Sequence, residues 1–380
     1  LCSLMLGMGL TSCIDDTDPM DHLNSKPING TLTLNEGLWG SNNANITASY
    51  FDPETGLLLD QTNIYEYANN KKLGDVANAL IEGEYCYYVL MNGSKYVARL
   101  TEACAEYSRY TFPENEGEPR CMDVEGNYIY VTQYGGQVSK INIQDMTLES
   151  TFKGGDNLEG IVEEDGKLYV ANAWKLDGSN NYVYNKEILV IDAKTMTQTG
   201  TISVVDNPVN MYEINDKIYI ISQGNYADVS AALQVINTQT ETSKVIFNDV
   251  DKITEGHNGY VYGVRSTYDA NWNPVNSFFI YNPKGNEVSE TSFLKDAPAT
   301  FSSSAIYLLE VDEENGYIYV GISDYTTNGT IYQFDQTGKF LRQFDSGGIN
   351  PCAMIRQSFS PIAHIVKAEG IGTKRPLLST

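Results

Sequence analysis

Short apolar runs separated by polar turns recur along most of the chain, and the runs share an apolar-Tyr-apolar pattern. Copies read Gly83-Glu84-Tyr85-Cys86-Tyr87-Tyr88-Val89, Gly126-Asn127-Tyr128-Ile129-Tyr130-Val131 and Gly166-Lys167-Leu168-Tyr169-Val170. Further copies are Lys217-Ile218-Tyr219-Ile220, Gly259-Tyr260-Val261-Tyr262 and Gly316-Tyr317-Ile318-Tyr319-Val320. Runs of this length and composition, bounded by Gly and Asn, predict strands. The anchors Tyr87, Tyr130, Tyr169, Tyr219, Tyr262 and Tyr319 lie 39 to 57 residues apart. That spacing fits one four-stranded sheet per repeat, the size of a propeller blade.

The rest of each repeat supplies the other strands. A second run follows the Tyr run, as in Ile188-Leu189-Val190-Ile191-Asp192, Leu233-Gln234-Val235-Ile236-Asn237 and Ile331-Tyr332-Gln333-Phe334-Asp335. A third follows that, as in residues 199–204, and a turn-prone segment such as Glu118-Pro119-Arg120-Cys121-Met122 precedes the Tyr run. The repeat therefore reads as strands A to D, with the Tyr run as B. At the start, residues 31–37, 46–52 and 57–62 fit B, C and D with no A before them. At the end, residues 348–354 fit an A with no B after it. The two ends complete one blade, so the expectation is an all-β, seven-bladed propeller over residues 29–354. Closure of the ring removes the open edges on which sheets aggregate. No amphipathic helix is expected.

The flanks break this pattern. Leu1 to Leu10 is an apolar run too short to span a bilayer. It reads as a secretory signal without its basic start, ending in Leu10-Thr11-Ser12-Cys13, which resembles a bacterial lipobox with Cys13 as the lipidated residue. The acidic run Ile14-Asp15-Asp16-Thr17-Asp18 resembles a surface-export signal of Bacteroidota lipoproteins. Residues 14–28 then read as a tether. Together these predict a lipid-anchored protein exposed at the outer-membrane surface. Residues 355–380 carry Arg356, Lys367, Lys374 and Arg375 against Glu369, reversing the charge of the body. They read as a disordered or extraneous tail.

Composition narrows the chemistry. A formal charge of −24 argues against nucleic acid, which needs clustered Lys and Arg. It argues equally against loose adhesion to anionic lipid. Cys86, Cys104, Cys121 and Cys352 show no CxxC spacing. Cys86 and Cys104 could bridge within one blade or stay buried and free, so the redox compartment is open. Neither a metal site nor a catalytic set assembles from the sequence. His257 reads as a turn or core residue, and Asp177-Gly178-Ser179-Asn180-Asn181 as a solvated loop without full EF-hand spacing. No resident cofactor is implied.

In a propeller the B–C and D–A loops gather on one face. All three tryptophans, Trp39, Trp174 and Trp272, fall in B–C loops, as do Tyr134, Tyr226, Tyr268 and Tyr325. Asn42 and Asn43 accompany Trp39. Aromatics with polar tips, mixed with amides and Gly, are what a ligand platform uses. Each ring could instead pack beneath its own loop. The set Trp39, Asn42, Asn43, Tyr134, Trp174, Tyr226, Tyr268, Trp272 and Tyr325 is the candidate binding surface.

The stretch Leu34-Asn35-Glu36-Gly37 through Trp39-Gly40-Ser41-Asn42-Asn43-Ala44, the repeated Tyr strands and Asn350-Pro351 resemble the YncE-like propeller lipoproteins of Bacteroidota, within them the DUF5074 type. The resemblance covers roughly residues 29–354. It implies a non-enzymatic surface protein. Some members of that group bind cobalamin, the BtuG type, and pass it to a TonB-dependent outer-membrane transporter. The implied ligand is therefore a corrinoid held on the loop face. Two other classes stay open: an adhesion protein binding a protein or glycan, and a lactonase-like enzyme with a metal in the channel.

Overall fold

The computed structural model describes residues 28–312 and 315–359. These form seven four-stranded antiparallel sheets, six running A–B–C–D in chain order and one joining the two ends of the chain. Blade 1 holds strands B to D, Ile28–Asn35, Asn45–Phe51 and Leu58–Asn63. Blades 2 to 7 span residues 77–111, 119–153, 157–203, 208–248, 250–289 and 305–345. The expected seven-bladed propeller is the architecture found.

Closure is as the chain ends predicted. Pro351–Phe359 is strand A of blade 1 and pairs antiparallel with Ile28–Asn35, with Leu32 opposite Ile355 and Ile28 opposite Phe359. The expected boundaries at 29 and 354 are therefore corrected outward at both ends. Residues 355–359 are not tail, because the edge of Ile28–Asn35 offers backbone partners that they complete. Arg356, read as the onset of a charge reversal, is held by Asp312 at 3.1 Å. The segments expected to be a signal with Cys2 and Cys13, a tether up to residue 27 and a tail from residue 360 lie outside the described residues.

The Tyr runs are the B strands, and every anchor is buried. Blades stack face against face, so an inner strand is covered on both sides and its sequence is apolar throughout instead of alternating. Val89, Val131, Val170, Ile220 and Val320 show this at 0% exposure. The outer D strands alternate or are largely exposed, as in Thr147–Lys153. Tight C–D turns close the blades, through Thr101 in blade 2 and in others through an Asp or Asn that caps its own loop. The Oδ1 atoms of Asp192, Asn237 and Asp335 accept backbone N–H groups two to four residues on, at 2.7–3.1 Å.

Two short helical turns were not expected. Ile64–Asn69 is capped by the Asn63 side chain and ends at left-handed Asn70, and Ala299–Ser303 is a 3₁₀ turn. Both lie in D–A connections and are too short to show helical periodicity. Cys86 and Cys104 are buried without bridging, and neither Cys121 nor Cys352 forms a disulfide.

Candidate ligand-binding face

Strands A line the central channel, and each carries a register shift near its start. A bulge inserts one residue and re-aims side chains. Here it brings a ring of residues to the channel mouth, among them Asn78, Arg120, Glu159, Tyr307 and Cys352. Glu159 is almost fully buried and accepts from Arg120 Nε at 3.0 Å and from the Tyr134 hydroxyl at 2.8 Å. The Arg120 guanidinium also lies over the Tyr134 ring, 4.9 Å from its centroid. Across the mouth, the Tyr307 hydroxyl donates to Glu36. Burial pushes the Glu36 carboxyl up, and Tyr307, Arg120 and Lys252 partly offset it.

A cavity of about 500 Å³ opens here, lined by Glu36, Gly37, Leu38, Trp39, Val76, Asn92, Glu118, Arg120, Tyr134 and Asn350. Its wall joins B–C loop residues (Trp39, Asn92, Tyr134) to D–A residues (Val76, Glu118, Asn350), so both loop sets share this face as expected. On the same strands, Tyr212 of blade 5 lies within electrostatic reach of Cys121 of blade 3 and Glu310 of blade 7, and Glu310 of Cys352 of blade 1. Burial pushes Glu310 up to about 7 and Cys121 up to about 12.

The loops stand on buried polar residues at the ends of the B strands. Asn35 Nδ2 donates to the Ser346 carbonyl at 3.0 Å, Asn92 Nδ2 to Pro119 at 2.8 Å, and Ser323 Oγ to Asn350 Oδ1 at 2.6 Å. Above them the loops are tied by their own carboxylates and amides. Asp75 accepts from the N–H of Gly40 and of Asn42, and Asn43 Oδ1 from that of Leu38 at 2.8 Å. Asn43, a candidate contact in the sequence, thus has its acceptor committed to shaping the loop. The loop at Asp177 is a capped turn of the same kind, with Ser179 and Asn181 N–H groups at 2.7 and 2.9 Å. These bonds hold the Asp177 carboxyl below the usual carboxylate range.

Of the predicted aromatics, Trp39 and Tyr134 line the cavity. Trp174 is half-buried between Tyr134 at 5.4 Å and Tyr182 at 5.0 Å. The series continues through Tyr184 to Tyr226, 5.6 Å further on. Tyr268 and Trp272 form a pair 6.3 Å apart, and Tyr325 meets Tyr307 at 5.9 Å. The alternative that each ring packs beneath its loop fails for Trp39, Tyr226, Tyr268, Trp272 and Tyr325, which are 53–82% exposed. Tyr268 lies within electrostatic reach of both Tyr226 and Tyr325, which links blades 5, 6 and 7 around the mouth.

Several site residues escaped the sequence. Tyr182 and Tyr184 sit on the returning strand of a long hairpin, Tyr182–Asp192, of which only Ile188 to Asp192 was expected as strand. Arg120, Glu159 and Tyr307 are aimed by bulges that an alternating pattern cannot reveal. His257 lies exposed in an A–B turn, on the opposite face.

No protein-family model and no curated protein matches the chain. Among solved structures, Kuenenia stuttgartiensis hydrazine synthase is 16% identical over 66% of this chain and 74% of that one, with a TM-score of 0.53. Apo AztD from Citrobacter koseri is 11% identical over 86% and 83%, with a TM-score of 0.49. BamB from Moraxella catarrhalis is 12% identical over 84% and 86%, at 0.47. At such identities a likeness bears on the fold alone.

Proposed function

We propose that this chain is a non-catalytic capture protein that holds a corrinoid on its B–C face and delivers it to a TonB-dependent outer-membrane transporter. The observation that carries the capture reading is the exposure of five aromatic rings on one face. Rings of this size are ordinarily drawn into the core, and contiguous exposed apolar surface marks interaction sites. A corrinoid suits the face because it is broad, flat in part and rimmed by amides that match the exposed Asn42 beside Trp39. The choice of corrinoid over other flat ligands rests on the sequence resemblance. In the same reading, Cys13 carries the lipid and the acidic run after it directs the protein to the cell surface.

Calorimetric titration of the purified chain with cyanocobalamin tests the proposal. We expect saturable one-to-one binding, and its absence at high micromolar ligand removes the corrinoid. An adhesion role predicts capture of a protein or glycan with no small-molecule heat.

A further inference from the structure

Four aromatics among the described residues combine positive φ with more than half exposure: Tyr85, Tyr226, Trp272 and Tyr325. Three of them occupy the B–C loops of consecutive blades, 5, 6 and 7. Bulky residues are disfavoured in this left-handed region, which Gly and Asn adopt easily. Tyr85 lies in an A–B turn on the other face, and several further positions of this kind have a local reason. Val76, Cys104, Met146 and Met196 are buried, so packing offsets the strain. Lys95 is held by the carbonyls of Glu114 and Glu116.

The molecule contains its own control. Residues 177–181 and 269–273 form the same turn. In each, the Asp Oδ1 accepts from the N–H groups two and four residues on, at 2.7–2.9 Å. In each, the N–H three residues on donates to the Asp carbonyl at 3.0 Å, and the Asp N–H bonds back to the fifth residue at 2.9 Å. The left-handed position is Asn180 in one turn, at φ 62°, and Trp272 in the other, at φ 65°. The turn therefore has no need of a ring, and Trp272 is 82% exposed. Blades 1 and 3 likewise place Gly40, Gly135 and Gly136 at left-handed positions in their B–C loops. Tyr226 and Tyr325 repeat one arrangement, each directly following an Asn or Asp that caps the loop.

Charged groups on this side of the ring are engaged by their own neighbours. Asp206 pairs with Lys186 at 2.9 Å and Asp249 with Arg265 at 2.8 Å. Asp251 pairs with Lys252 at 3.7 Å. Asp228, Asp269 and Asp324 accept side-chain or backbone donors of their own loops. Each cation of this set is paired, which leaves none for an anionic ligand, and the ionised Asp228, Asp269 and Asp324 spend their hydrogen bonds on their own loops.

We infer that Tyr226, Trp272 and Tyr325 are the principal ligand contacts of this face, held in left-handed conformations against local backbone preference, and that they take the flat side of an uncharged ring system. The inference rests on the capture reading and narrows it to one arc. Backbone strain at a functional position persists where the surrounding structure enforces it, and three capped loops do so here.

The test compares Tyr226→Asn, Trp272→Asn and Tyr325→Asn with the parent, by thermal melting and by titration with three probes: cyanocobalamin, dicyanocobinamide and riboflavin. Each variant should melt at or above the parent temperature and bind the parent's probe roughly tenfold more weakly. Parent affinity should change less than about threefold between 0.05 and 0.5 M salt, as an uncharged contact requires. A variant that melts lower, or one that binds at parent affinity, overturns the arc. Steep salt dependence does the same. A parent that binds riboflavin and neither corrinoid overturns the corrinoid reading while the arc stands. Binding of no probe, with capture of a glycan or protein instead, overturns both.

Discussion

At the residue scale, the channel mouth shows how burial and pairing decide what a side chain does. Arg120 is kept charged inside the ring by Glu159, which is 6% exposed at its side chain. Removing one partner of a buried pair strands the other. Glu159→Ala should therefore destabilise the protein by about 3 kcal/mol, and a denaturant midpoint unchanged from the parent would contradict this. Glu310 behaves differently. Its carboxyl has an ordinary value of 4.5 and is pushed up to about 7 by burial alone. Between those values the native state keeps a proton that the unfolded chain has released, so stability falls as pH rises through that window. Glu310→Gln cannot ionise, and should exceed the parent by on the order of 1 kcal/mol at pH 8 while gaining nothing at pH 4.5. Melting curves at the two pH values decide it; equal gains at both would show that ionisation is not the cause.

At the scale of elements, the loops are short, self-capped units and not free connections. Asp269 Oδ1 closes the tip of the hairpin between strands Val261–Tyr268 and Pro274–Asn282. Because that tip is exposed and packs on no core, its opening is a local event. Asp269→Ala should leave the melting temperature within a degree or two while the Asn271 and Asn273 amides exchange about tenfold faster. Hydrogen-exchange mass spectrometry reads both segments. A global loss of stability would mean that the tip is part of the cooperative core. The same element scale separates what could be read from what could not. Strand B was legible because it is buried on both faces, which writes an unbroken apolar run into the sequence. The bulges in strands A were not legible, since a one-residue register shift leaves no trace in hydrophobic spacing.

At the scale of the molecule, the ring is closed by pairing the two ends of the chain in one blade. Strand Pro351–Phe359 covers the edge of Ile28–Asn35, and Gln357 reaches across to the Tyr87 hydroxyl of blade 2. A chain ended at Phe359 should melt as the parent does. A chain ended at Asn350 leaves an open edge beside buried Leu32 and Leu34, and should lose its cooperative transition and aggregate. Light scattering with melting curves separates the two, and a soluble, cooperative shorter chain would show that closure is dispensable.

The amino-acid order alone determined the blade count, the complementary ends and the face on which aromatics gather, because each is written in periodicity and position along the chain. It misplaced the C-terminal boundary, since the charge of residues 355–359 spoke for a tail while strand pairing with Ile28–Leu32 is a matter of distance in space. It named Trp272, Tyr226 and Tyr325 but not why they stand out. Only the fold shows that their rings are exposed, that their backbones are left-handed, and that an identical turn is built with Asn180. Those facts depend on φ angles and on neighbours from other blades, neither of which is a property of local sequence.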